Sequence, residues 1–174
     1  MMEKEREGIR IRRLNRNDES IVRMATYHAI HIPDGQTAFP VSIVDEEAQV
    51  RLFWDGFGRE AADLGFVVEA DGETIGAAWV RLLNGEPRGY GNIDDHTPEL
   101  GIAVWPEHRG KGWGTQLMEQ LVGALKKESV KRISLSVHHG NRAKRLYERC
   151  GFQTFRVQEE DDIMVLPLQV NDVR

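Results

Sequence analysis

"VWPEHRGKGWGTQLM", residues 104–118, sets three glycines and two cations between an apolar run and a stretch with helical spacing. Upstream lies "ELGIAVW" (99–105), which reads as an apolar strand. Downstream, Leu117, Leu121 and Leu125, with Met118 and Val122, form the buried stripe of a helix. Pro106 ends the strand, because proline cannot donate to a ladder. A turn between a strand and a helix is a place for an anion. The first N–H groups of a helix have no intrahelical partners, and its macrodipole adds about half a positive charge there. Gly110, Gly112 and Gly114 remove Cβ atoms, so the backbone can wrap closely, and Arg109 and Lys111 add charge at the rim.

Three phosphate-binding patterns compete for this turn. A Walker A loop needs G-x-x-x-x-G-K-[ST], which is absent. A dinucleotide turn needs G-x-G-x-x-G with an acidic ribose partner ~20 residues on; here the spacing is G-x-G-x-G and the later region is basic. The third pattern, Arg-x-x-Gly-x-Gly after V-x-P, fits at Val104, Pro106, Arg109, Gly112 and Gly114. In this the segment resembles the pyrophosphate-binding motif of the GNAT superfamily of N-acetyltransferases, which bind acetyl-CoA. A second segment, "NRAKRLYERCGF" (141–152), is similar to that superfamily's N-x-x-A-x-x-L-Y-E-x-x-G-F signature. It matches at Asn141, Leu146, Tyr147, Glu148, Gly151 and Phe152, with Ala143 one place early. The resemblance runs from about Gly65 to Leu168.

The resemblance implies a set of roles. The strand before the turn would be splayed from its neighbour by a bulge, leaving a V-shaped gap. Backbone groups of Ile102, Ala103 and Val104 would pair with the pantetheine arm as an added strand. N–H groups of Arg109, Gly110, Lys111, Gly112, Trp113, Gly114 and Thr115 would hold the pyrophosphate, and Asn141 would touch the pantetheine near the thioester.

Aminolysis of a thioester then sets the catalytic requirements. An amine with a lysine-like pKa of about 10.4 must lose a proton before it attacks, a backbone N–H must meet the developing oxyanion, and the leaving thiolate benefits from a donor. Tyr147 is the candidate donor: it shares a helix face with Ala143, Leu146 and Cys150, so it points inward. Glu99, at the start of the central strand, is the candidate base. Some relatives carry a glutamate in the strand aligned with "ISLSV", where this chain has Ser136, so that role does not transfer.

The rest of the chain fits one α/β (α+β) domain over residues 1–174, with about seven strands in a mixed sheet, about four helices, and the order βααβββαβαββ. "GIRIRRL" alternates as a half-buried strand, and Asn17 or Asp18 caps a first helix through Ile32. Ser42-x-x-Asp45 resembles a capping box before a second helix on Phe53, Phe57, Ala61 and Leu64, weakened by Gly56 and Gly58. "LGFVVEADGETIGAAWVRLL" is a hairpin about Asp71-Gly72. "NGEPRGYGNIDDHTP" is a long polar connection, followed by the central strand, the glycine turn and its helix. "RISLSV" is a strand, Asn141–Arg149 a helix, and "GFQTFRV" and "IMVLPL" close the sheet.

Composition narrows the partners. The chain is 40% hydrophobic and 29% charged, with no apolar stretch of membrane length, and "MMEKEREGIR" has no secretory apolar core. One cysteine, Cys150, excludes an internal disulfide, and the expected location is cytoplasmic. Cys150 is read as packing. Residues 108–149 carry a net +7 while the remainder carries −12, which favours a local polyanion over nucleic acid. His138 and His139, adjacent on a strand, face opposite ways, so no metal site is expected.

The acceptor is expected to carry an amine, on a small molecule or on a protein or peptide. Asp94, Asp95 and Glu99 are candidates to draw in a cation, and Tyr27, His28, His31, Trp54 and Phe57 to shape its pocket. A homodimer is compatible with such folds. The reading is an acetyl-CoA-dependent N-acetyltransferase working by direct transfer in a ternary complex. The alternative is an acyl-CoA-binding sensor or scaffold without catalysis.

Overall fold

The computed structural model describes residues 8–168, so the charged N-terminal stretch 1–7 and residues 169–174 lie outside it. Seven strands form one mixed sheet in the order β1-β2-β3-β4-β5-β7-β6. They are β1 (Ile9–Arg13), β2 (Leu64–Ala70), β3 (Glu73–Arg81), β4 (Glu99–Val104), β5 (Arg132–His138), β6 (Gln153–Val157) and β7 (Asp161–Pro167). Five helices accompany them: α1 (Glu19–Ala29), the one-turn α2 (Ile43–Glu46) and α3 (Ala48–Arg51), α4 (Trp113–Lys127) and α5 (Lys144–Arg149). Every strand pair is antiparallel except β4 with β5.

The alternation of β3 explains the layering. Ala78 and Val80 face the leucine stripe of α4, whereas Ala77 and Trp79 face Val22 and Ala25 of α1. Both faces of the central sheet are therefore covered. Leu117, Leu121 and Leu125 are essentially fully buried, each contributing about 1.5–3 kcal/mol of transfer free energy. The β2–β3 hairpin turns on Asp71 (φ 51°) and Gly72 (φ 83°), as the Asp-Gly pair predicts.

Two local expectations are modified for identifiable reasons. The first helix is entered through Asn15, whose side chain accepts from Asn17 N–H (2.9 Å), while Asp18 accepts from Asn15 N–H (2.8 Å). That capping box closes a 3-10 turn, Arg16–Asp18; Asp18 is the N-cap residue of α1, as expected, but makes no side-chain capping bond there. The expected second helix shrinks to two single turns followed by an irregular segment to residue 63, and Leu64 belongs to β2. Ser42 makes no capping bond, and Asp45 pairs with Arg23 instead.

Tertiary groups intercept the helical ladder. The Leu52 carbonyl, which a continuing helix would offer to Gly56 N–H, accepts from Arg81 Nη1 (2.9 Å), and Gly56 N–H donates to Glu19 Oε2 (2.7 Å). Arg81 also donates to Asp55 O (2.7 Å) and forms a buried ion pair with Asp63 (2.9 Å). Removing one partner of such a pair leaves an uncompensated buried charge. Arg81→Leu is expected to destabilise the fold by about 3–5 kcal/mol, read from the shift of the urea unfolding midpoint.

Candidate active site

β4 and β5 meet at a single bridging pair, Glu99 with Ser134, reinforced by Ser134 N–H donating to Pro98 O (3.0 Å). Beyond that point the strands separate. The pairing of β4 with β3 runs without a shift from Gly76–Val104 to Arg81–Glu99, so the gap comes from divergence and not from a bulge in that ladder. Trp105 N–H donates to Ile75 O (2.8 Å), which fixes the antiparallel phase. Ala103 therefore directs its backbone groups to β3, and Ile102 and Val104 direct theirs to the gap.

The glycine turn follows β4, after the short turn Pro106–His108, and leads into α4. Gly112 is the N-cap of α4 at φ 88°, a left-handed conformation that costs other residues roughly 1–2 kcal/mol. Nothing lies within 4 Å of where a Cβ at Gly110 or Gly112 would stand, so that side of the turn is open. Among the described residues, the N–H groups of Gly110, Lys111, Gly112, Gly114 and Thr115 donate to no protein acceptor. Arg109 is not aimed outward: its Nε donates to Val104 O (2.9 Å) and its Nη2 to His28 O (3.2 Å), tying the turn to β4 and α1.

A cavity of about 810 Å³ occupies the gap. Its walls bring together Glu99 to Ile102 of β4, Ser136 and His138 of β5, Asn141, Tyr147, the end of α1 with His31, and Phe53 and Tyr90. Glu99, at the bottom, is 1% exposed. Its Oε2 accepts from Gly91 N–H (2.8 Å), and its Oε1 has no partner. The 84–98 connection presses on it so closely that a Cβ at Gly89 would stand 2.1 Å from Oε1. Burial pushes the Glu99 carboxyl up to about 8, partly offset by the Gly91 bond.

Tyr147 is buried, its ring lies tilted against Phe152 with centroids 5.8 Å apart, and its hydroxyl has no bonded partner among the described residues. Burial raises its pKa, so it stays a proton donor at neutral pH. Asn141 Oδ1 accepts from Ala143 N–H (2.9 Å), closing the turn before α5, which begins at Lys144 and not at Asn141. Ser136 donates to Asp161 through a short hydrogen bond.

The expected acceptor residues scatter. His31 reaches the cavity and stacks on His138, centroids 5.0 Å apart. Tyr27 instead donates to Phe39 O (2.7 Å), His28 packs on Trp105, Trp54 donates to Val44 O, and Phe57 is core. Asp94 and Asp95 pair with Arg132 and Arg88, so neither is free to draw in a cation. His139 pairs with Asp162, and Cys150 is half-buried against the core. Among the described residues no three His, Cys, Asp or Glu side chains converge as metal ligands, and no helix is long and apolar enough to cross a membrane. Asp161, His138 and Tyr90 enter the cavity with no sequence pattern to announce them.

The model of the acetyltransferase (GNAT) family matches residues 24–152. The chain belongs to this family. It is 32% identical over 65 residues to the [ribosomal protein bS18]-alanine N-acetyltransferase of Haemophilus influenzae, a stretch covering 37% of this chain and 44% of that relative. The match thus spans less than half of the relative's length. A GNAT-family acetyltransferase structure from Streptococcus pneumoniae superposes with a TM-score of 0.65 at 16% identity, covering 92% of this chain and 99% of the other. A structure from Salmonella typhimurium with its cofactor acetyl-CoA gives 0.62 at 19% identity, covering 95% and 97%.

The raised Glu99 pKa has a stability consequence. An exposed glutamate ionises near 4.5, whereas Glu99 stays protonated in the folded chain up to about pH 8. Folding is unaffected by this group below pH 4.5 and loses stability as pH rises toward 8, where the fold must hold a buried carboxylate. The urea midpoint of the wild type is expected to fall relative to that of Glu99→Gln between pH 5 and 9. The full difference is at most about 5 kcal/mol.

Proposed function

We propose that this chain is an acetyl-CoA-dependent N-acetyltransferase, acting over residues 1–174 as one domain, that moves an acetyl group to a primary amine by direct transfer in a ternary complex. The observation that carries the reading is the joint presence of Glu99, Tyr147 and Asn141 on one cavity where β4 parts from β5. The unclaimed N–H groups of the turn and the open space beside Gly110 and Gly112 fit a diphosphate. Ile102, with both backbone groups turned to the gap, and the N–H of Val104, whose carbonyl is held by Arg109, are suited to an extended pantetheine arm. When bound, acetyl-CoA supplies an activated acetyl thioester.

The chain's own residues handle the protons. Glu99, poised to ionise near pH 8, accepts the proton that the acceptor's ammonium gives up, directly or through a water. The Tyr147 hydroxyl holds a proton for the departing sulfur. A gap-facing N–H of β4 serves the carbonyl oxygen as charge builds on it. The named relative acts on an alanine of a ribosomal protein. This supports an amine on a protein as an acceptor here, with an amine on a small molecule left to the panel below.

Incubation with acetyl-CoA and a panel of peptides, polyamines and aminoglycosides, with free thiol as the readout, tests the reading. Tyr147→Phe is expected to slow turnover tenfold or more while calorimetric affinity for acetyl-CoA survives; unchanged turnover would remove Tyr147 from the chemistry. The kcat/KM profile should rise with pH through about 8, and Glu99→Gln should abolish that limb. Gly112→Val, forcing a branched residue to φ 88°, should weaken acetyl-CoA binding at least tenfold.

A further inference from the structure

The cavity between β4 and β5 has an uneven charge inventory. Its described lining includes four acids, Glu47, Glu99, Glu160 and Asp161, and no lysine or arginine. Several carboxylates elsewhere are matched by arginine: Asp18 by Arg12, Asp45 by Arg23, Asp63 by Arg81 and Asp94 by Arg132. Asp162, next to Asp161 but on the other face of β7, is held by Lys144 (2.9 Å) and His139 (3.0 Å).

Asp161 receives neutral donors only. The Ser136 hydroxyl bonds it, and with its amide turned nitrogen-inward Gln158 donates to Oδ1 (2.9 Å). These bonds aim the carboxylate and leave its charge uncompensated. At the other end of the same cavity, the fully buried Glu99 Oε1 lacks any partner. The lining therefore holds one carboxylate, Asp161, whose charge awaits a cationic occupant, and at its other end a carboxyl, Glu99, with an oxygen free for the reacting amine. Phe39 and Tyr90, both exposed at the cavity mouth, offer apolar and π surface for a chain between them.

The sheet register sets their spacing. Glu99 pairs with Ser134, and Asp161 pairs with His138, four residues further along β5 and on the same face. Four residues at ~3.3 Å put the two levels about 13 Å apart along the strand. Resting on the N-acetyltransferase reading, we propose that the acceptor is an amine carrying a second positive charge remote from the reacting nitrogen, and that Asp161 binds that second charge. A long diamine or polyamine meets this chemistry, and so does a peptide amino terminus followed closely by lysine or arginine.

Matched acceptors test it: 1,8-diaminooctane against octylamine, and a short peptide with lysine against the same peptide with norleucine at its third position. In each pair kcat/KM is read from thiol release. The wild type should favour the dicationic member of at least one pair tenfold or more, the preferred pair separating small amines from peptides. Asp161→Asn should cut kcat/KM for that dication at least fivefold more than for its monocationic partner, with acetyl-CoA affinity retained. Raising ionic strength should erode the wild-type preference in the same direction. Glu47→Gln, on a separate element, should reduce it too, so the result does not depend on one variant folding. Thiol release with no dication preference, or with the preference intact in Asp161→Asn, overturns the inference alone. No thiol release from any amine, with acetyl-CoA still bound, overturns the N-acetyltransferase reading and this inference with it.

Discussion

The parting of β4 from β5 after a single bridging pair is the constraint on which the site depends. In an intact parallel ladder, the backbone groups of Ile102 and Val104 would meet those of β5, and no cavity would exist. Divergence leaves a strand edge inside the molecule, with polar groups that must find partners. It stays open because both strands are anchored on their outer sides. β4 pairs along its length with β3, and β5 pairs along its length with β7. The sheet holds the wedge open.

That wedge places unlike chemistry within one space. At its closed end the carboxyl of Glu99 is removed from water by the backbone of the 84–98 connection, and this desolvation moves its ionisation toward neutral pH. The same burial keeps Tyr147 protonated. In the transfer proposed here, Glu99 is the base that ionises near the working pH and Tyr147 the acid that does not. Toward the open end lie the exposed Phe39 and Tyr90 and the unmatched Asp161.

The helix expected over residues 53–64 shows how local pattern can lose to tertiary chemistry. Its apolar spacing is present, but Arg81 captures two carbonyls and Glu19 captures an amide, so the segment is bound into the fold as irregular backbone. Arg109 is a comparable case. Sequence places its charge at a phosphate turn, whereas the structure uses its side chain to tie that turn to Val104 and His28. In both, a long cationic side chain satisfies backbone carbonyls that secondary structure has left open.

Spacing along the chain was enough to establish the strand–turn–helix unit, the hairpin at Asp71-Gly72, the leucine stripe and the inward face of Tyr147. Each depends on residues within one turn or one strand of each other, where backbone period and glycine conformation act directly. Which acids are free and which are matched was decided only by tertiary structure. Asp94 and Asp95 look available in sequence and are paired, while Asp161 looks unremarkable and stands uncompensated beside Ser136. Burial and charge pairing depend on which distant strands become neighbours, and no local period encodes that.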